Sequence, residues 1–152
     1  MKGWQITGIF LTLATVFTGC GDVEPRSQMQ DGSYTAQMSD YSHGWKEYIT
    51  ITVKNGSITS TEYNAENASG FLKSWDNEYM NHMKPVSGTY PNEYTRYYAA
   101  QLTGQSSAPE IDTLSGATSS ASNFRKLSLA VIEQAVKGDS TIVIVESDTT
   151  EE

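Results

Sequence analysis

The stretch with the clearest capacity for chemistry is Asp112-Thr113-Leu114-Ser115-Gly116-Ala117-Thr118. It stands just before the best helical pattern of the chain, about Ser119 to Lys137. A hydroxyl, Thr118, is thereby set on small residues at the mouth of a helix. Gly116 permits a tight turn and a close partner, and Ala117 adds no bulk. The free N–H groups that open a helix, together with its dipole, favour an anion beside Thr118. The pattern suits a phosphate held at, or bonded to, the Thr118 oxygen, with Ser115, Gly116, Ala117, Ser119 and Asp112 around it. As a bare shape it is also a Ser/Thr-rich loop ending in an N-cap.

The full string Asp-x-x-Ser-Gly-Ala-Thr is more specific than that shape. At average residue frequencies it is expected on the order of once per million positions. It resembles the flavinylation motif of the FMN-binding domain family. That family includes flavin-carrying subunits of sodium-pumping and electron-bifurcating membrane complexes and surface lipoproteins of extracellular electron transfer. The resemblance implies a covalent FMN, joined by a flavin transferase through a phosphodiester to Thr118. Ser115, Gly116 and Ala117 would frame the acceptor, and Asp112 would open the motif. It extends over most of the chain after the leader, through Asp31-Gly32-Ser33-Tyr34, Ser42-His43-Gly44-Trp45, Asn55-Gly56, Met83-Lys84 and Ser87 to Leu102.

The rest of the chain must position and deliver this site. Its 152 residues are enough for one domain with a core. The formal charge of -8, without a Lys/Arg cluster, argues against nucleic acid and against electrostatic docking on anionic lipid. The N-terminus offers another attachment. Lys2 is followed by a largely apolar run, Ile6 to Phe17, too short for a permanent span but suited to a signal peptide. Phe17-Thr18-Gly19-Cys20 resembles a bacterial lipobox cut before Cys20, although Phe17 replaces the usual leucine. A diacylglyceryl Cys20 carries two acyl chains, enough for stable anchoring at an extracytoplasmic membrane face. Lipidation would also consume the single cysteine, leaving no disulfide or thiol chemistry. Residues 1–19 then read as leader, 20–32 as the lipidated cysteine with a flexible tether, 33–146 as the domain and 147–152 as an acidic tail.

Within the domain, alternation predicts strands over Ser33–Ser39, Lys46–Lys54 and Ser57–Asn64. Asn55-Gly56 calls for a type I′ hairpin. The spacing of Leu72, Trp75, Tyr79 and Met83 predicts an amphipathic helix from Phe71 to Met83, ended by Pro85. Pro91 opens a second helix with Tyr94, Tyr97, Tyr98 and Leu102 on one side. The motif helix should bury Phe124, Leu127, Val131 and Ala135, with Leu129, Ile132 and Val136 widening that stripe and Gly138 as its C-terminal cap. Thr141–Val145 could add a strand. The fold class is α+β, an antiparallel meander with helices packed against it, as the resemblance also implies.

Other constellations carry less. His43 and His82 have no companions at zinc-ligand spacing, so no metal site is expected. No nucleophile–base arrangement stands out, and no catalytic residue is assigned. Trp45, Trp75, Tyr79, Tyr94, Tyr97 and Tyr98 could wall an isoalloxazine ring or simply pack the core. Trp45, beside Gly44 in a turn, has room to project and is the favoured ring contact. Arg125 or Lys126 could approach a phosphate from beyond the first helical turn.

The composite reading is a membrane-anchored flavoprotein that relays electrons at the cell surface. Its partners are a flavin transferase, a membrane electron donor and an extracellular acceptor. FMN held without a covalent bond is an intermediate case. The alternative from a different class is a non-redox surface lipoprotein that binds a partner protein, a peptide or a glycan. The Asp112–Thr118 string separates the two, because a binding module has no reason to carry it.

Overall fold

The computed structural model describes residues 28–148. The leader, Cys20 and most of the tether lie outside the described residues, as do residues 149–152 of the tail. The first three strands are β1 (Gly32–Met38), β2 (Lys46–Lys54) and β3 (Ser57–Glu66). They form the expected antiparallel meander. Asn55 and Gly56 both take positive φ, 52° and 70°, as a type I′ turn requires. Tyr34, Ala36 and Met38 on β1 and Ile49, Ile51 and Val53 on β2 face one side and are buried. On β3 a bulge opposite Thr52 and Val53 shifts the register, so Ile58 lands on that same face.

The sheet is mixed rather than purely antiparallel. Its fourth strand, β4 (Val143–Val145), lies parallel to β1 at the edge, in the order β3-β2-β1-β4. The long motif helix, α3 (Thr118–Lys137), carries the chain back across the sheet before β4 begins. α3 packs over β1 and β2, while α2 (Pro91–Leu102) packs over β3. Phe124, Leu127 and Val131 of α3 and Tyr98 and Leu102 of α2 are fully buried; Ile132 and Val136 flank the core, whereas Leu129 does not join the stripe, because it sits on the outer side of α3 and is exposed. Gly138 closes α3 in the left-handed conformation, as expected.

Three expectations need correction. The helix over Phe71–Met83 is split. A short 3-10 turn spans Lys73–Trp75, and α1 (Asn77–Ser87) starts afresh after Asp76. The Asp76 carboxylate accepts a hydrogen bond from the Tyr79 N–H at 2.9 Å, capping a new helix where a continuous one would leave it unused. Pro85 does not end α1, which runs to Ser87 and stops at Gly88 with φ 75°. Pro85 lacks the N–H for one helical hydrogen bond, and its exposed position leaves the orphaned carbonyl side of the helix open to solvent. Nor does α1 bury an apolar stripe; none of its residues is buried.

The boundaries of the domain reach further than the composition suggested. Met29 is buried in the core, and the Gln30 N–H donates to the Ala135 carbonyl at 2.9 Å. The last tether residues are thus part of the packed unit. At the other end, the Ser147 N–H donates to the Ser39 hydroxyl and Lys126 pairs with Asp148. Among the described residues, no helix is long and apolar enough to cross a membrane.

Candidate functional site

The motif is a rigid loop delivered onto a helix start. Leu114–Ala117 forms a turn closed by the Ala117 N–H on the Leu114 carbonyl at 3.1 Å. Gly116 occupies the third position of that turn with φ 81°. A methyl at Gly116 would stand 2.0 Å from the Ser87 carbonyl oxygen. Glycine is therefore required twice, for its backbone angle and for the close approach of the α1 end. The partner that Gly116 admits within the fold is α1.

Three side chains that the sequence reading had not assigned to the loop hold it from below and beside. The Tyr98 hydroxyl accepts from the Leu114 N–H at 3.1 Å and donates to the Ala117 carbonyl at 2.9 Å. It bridges the turn from inside the core. The Gln101 amide grips the backbone of Asp112 twice, accepting from its N–H at 2.7 Å and donating to its carbonyl at 3.2 Å. Arg125 donates to the Ile111 carbonyl at 2.7 Å and also to the Thr113 hydroxyl. Helical spacing marked Tyr98 as a core residue. Its polar handle, which a buried tyrosine has to satisfy, was the signal of a second task.

Above this scaffold the Thr118 side chain is open to solvent. Ala117 is the N-cap of α3 and buried, and it offers no capping side chain. Thr118 is the first helical residue, and Thr118 and Ser119 are exposed. By helix geometry the N–H groups of Thr118, Ser119 and Ser120 have no intrahelical acceptor. No side chain caps them. The helix start therefore presents a hydroxyl with uncapped amides and the positive end of a 20-residue helix. Ser115 and Gly116 are likewise exposed on the turn. This donor set suits a phosphate-like anion beside the Thr118 hydroxyl.

The other assigned residues fall differently. The Asp112 side chain is exposed, and only its backbone is engaged. Trp45 does not project. The tight turn Ser42–Trp45 is closed by paired backbone hydrogen bonds of 2.8 and 3.0 Å, and it folds the indole onto Tyr79 with ring centroids 6.4 Å apart. Trp45 is therefore buried. Arg125 is engaged with the loop through one guanidinium nitrogen, and Lys126 pairs with Asp148. Of the aromatics, Tyr94 and Tyr98 are core. Trp75 is 63% exposed and Tyr97 38%. Tyr97 stands edge-on to Tyr98 at 5.5 Å, beside the residue that staples the loop. His43 lies in its turn at φ 51° and His82 on α1, both exposed.

A carboxyl lies just behind the helix start. Glu47 continues the inward stripe of Ile49, Ile51 and Val53 by one step of alternation. Its Oε1 accepts from the Ser120 hydroxyl at 2.9 Å, while its Oε2 is sealed from solvent without a partner. Burial pushes this carboxyl above the usual carboxylate range, held in check by Asn123, Ser120, Lys73 and Tyr63. Tyr63 is fully buried beside it and its hydroxyl is pushed well up, first by desolvation and then by the Glu47 charge. The strand alternation could have revealed Glu47, because a glutamate on the buried parity of a strand is unusual.

No protein-family model matches the chain. The 15 kDa lipoprotein of Treponema pallidum (strain Nichols) is 29% identical over 135 residues, which is 88% of this chain and 93% of that protein. The crystal structure of the CPE2226 protein from Clostridium perfringens is 34% identical with a TM-score of 0.74. The similarity covers 79% of this chain and 99% of the CPE2226 chain. With that identity over nearly the whole of a solved chain, the protein belongs to the same family as the Clostridium perfringens CPE2226 protein.

Proposed function

We propose that the protein is a membrane-anchored lipoprotein that carries FMN covalently on Thr118 and relays electrons at the extracytoplasmic surface. The anchor would be a diacylglyceryl group on Cys20; the lipoprotein name of the Treponema pallidum relative supports this half. The flavin half rests on one observation. Thr118 is exposed at an uncapped helix start, behind a loop fixed by Tyr98, Gln101, Arg125 and the Gly116–Ser87 contact.

Each residue then has a defined part. The Thr118 oxygen becomes the ester oxygen. The amides of Thr118, Ser119 and Ser120 face the phosphodiester and balance its charge. Gly116 and Ala117 keep the approach free of bulk. The exposed ring of Tyr97 offers a flat apolar surface near the loop. FMN, when bound, supplies reversible electron storage. A flavin transferase would move FMN from FAD, breaking the pyrophosphate bond and releasing AMP as the Thr118 hydroxyl gives up its proton, so Thr118 needs no basic partner of its own. The donor would lie in the membrane and the acceptor outside it.

Thr118→Ala tests the assignment. Produced with a flavin transferase, the native chain should stay yellow and fluorescent after denaturation and separation on a gel. The variant should be colourless there. Flavin retained by the denatured variant would show that Thr118 is not the acceptor. Colour lost from the native chain on denaturation would show that FMN is held without a covalent bond.

A further inference from the structure

The two ends of α3 serve different parts of the chain. At the C-terminal end the domain receives the segment that leads back to Cys20. The Gln30 N–H donates to the Ala135 carbonyl at 2.9 Å, and the Gln30 side-chain amide donates to the Val136 carbonyl at 3.4 Å. The same side chain lies against Gly138, where a methyl would stand 2.5 Å from its oxygen. Met29 is buried, and Gln28 packs against Gly56 of the hairpin turn. Thr118 opens α3 at its other end.

Two elements measure the separation independently. Thr118 and Ala135 are 17 residues apart on one helix. That is about 26 Å by the rise of an α-helix. β2 packs beneath α3 and runs between the same two poles. Its Glu47 accepts from the Ser120 hydroxyl at the Thr118 end. At its other end Asn55 and Gly56 share a cleft with Gln28, Met29 and Gln30. Glu47 and Asn55 are eight residues apart, which in a strand is again about 26 Å. Cys20 and Met29 are nine residues apart. In any conformation that length of chain spans at most about 32 Å. We infer that the lipid anchor and Thr118 stand at opposite poles of the domain, so that Thr118 is presented to a soluble partner in the extracytoplasmic space, with the domain between it and the lipid. The inference rests on the anchor half of the proposed function and not on the flavin half. Thr118 points at the lipid only when the domain is inverted, with the tether drawn out along its whole length. A tether five residues shorter loses about 17 Å of reach and forbids that inversion.

The test uses the full lipidated chain in phosphatidylcholine vesicles. The chain has a single cysteine, Cys20, which the anchor consumes. Thr118→Cys and Ser140→Cys therefore each supply one thiol for a fluorophore, at exposed positions of opposite poles. Nitroxide-bearing lipid headgroups quench on contact. They should quench the probe of Ser140→Cys several-fold more than that of Thr118→Cys. Equal quenching, or stronger quenching in Thr118→Cys, would overturn the inference. Deleting Asp22 to Arg26 should remove the quenching that remains in Thr118→Cys. Quenching that survives the deletion would show that Thr118 meets the lipid without inversion, against the inference. A chain that does not float with the vesicles, and whose Cys20 takes up the fluorophore, would sink the anchor reading and this inference with it. The predicted quenching, in a chain whose Thr118 takes up no flavin from a working transferase, would support the inference and sink only the flavin reading.

Discussion

α1 and α3 have similar apolar spacing in the sequence and opposite fates in the fold. α3 buries Ala121, Phe124, Leu127, Val131 and Ala135 against the sheet. α1 buries none of its residues, and Val86 is 86% exposed. The difference is what lies opposite. The meander leaves one apolar face, and α2 and α3 cover it. α1 contributes instead through its last carbonyl, Ser87, against which Gly116 closes. One helix holds the domain together and the other walls the motif loop.

That division can be broken by substitution. Phe124→Ala empties a site packed on Tyr63 and Tyr98, with ring centroids at 4.8 and 5.6 Å. It should cost about 3–5 kcal/mol in urea unfolding. Val86→Ala on α1, almost wholly exposed, should stay within about 0.5 kcal/mol. If the two losses were equal, the contrast between the helices would fail.

Gly116→Ala should cost about 3 kcal/mol, from the left-handed backbone and the collision with the Ser87 carbonyl. Gly88→Ala, also at positive φ but in open space, should cost only about 1 kcal/mol. Tyr98→Phe keeps the ring and removes the bridge across the loop. A loss of about 1–2 kcal/mol is expected, with faster amide exchange at Leu114, whose N–H loses its acceptor.

The smallest effect is one of pH. Because burial raises the Glu47 pKa in the folded chain, the native protein loses stability as pH rises from the ordinary carboxylate value through that raised one. Below the ordinary value both states are protonated and the penalty vanishes. Glu47→Gln should therefore gain on the native chain as pH rises across that window, in paired urea titrations. A constant difference at every pH would show that Glu47 does not titrate abnormally.

The strands were legible because alternation is local: Ile49, Ile51 and Val53 declare their face without help from the rest of the chain. So was the type I′ turn, where Asn55-Gly56 leaves few alternatives. The exposure of α1 is not legible in the sequence, because periodicity reports an apolar stripe and not whether a surface exists to cover it. The parallel placement of β4 depends on where α3 delivers the chain, a property of the whole fold. At the site, Gly116 and Thr118 stood out by their types, while Gln101 and Glu47 reach it only through folding. Trp45 was assigned by its turn, but the same turn folded its ring onto Tyr79.

The central claim is that Thr118 carries FMN. Intact mass on the chain from Gly21 onward, produced with a flavin transferase, tests it most directly, followed by peptide mapping. The account predicts a gain of one FMN less one water, located on the peptide that holds Thr118. An unmodified mass, beside a control substrate that the same transferase flavinylates, would contradict it.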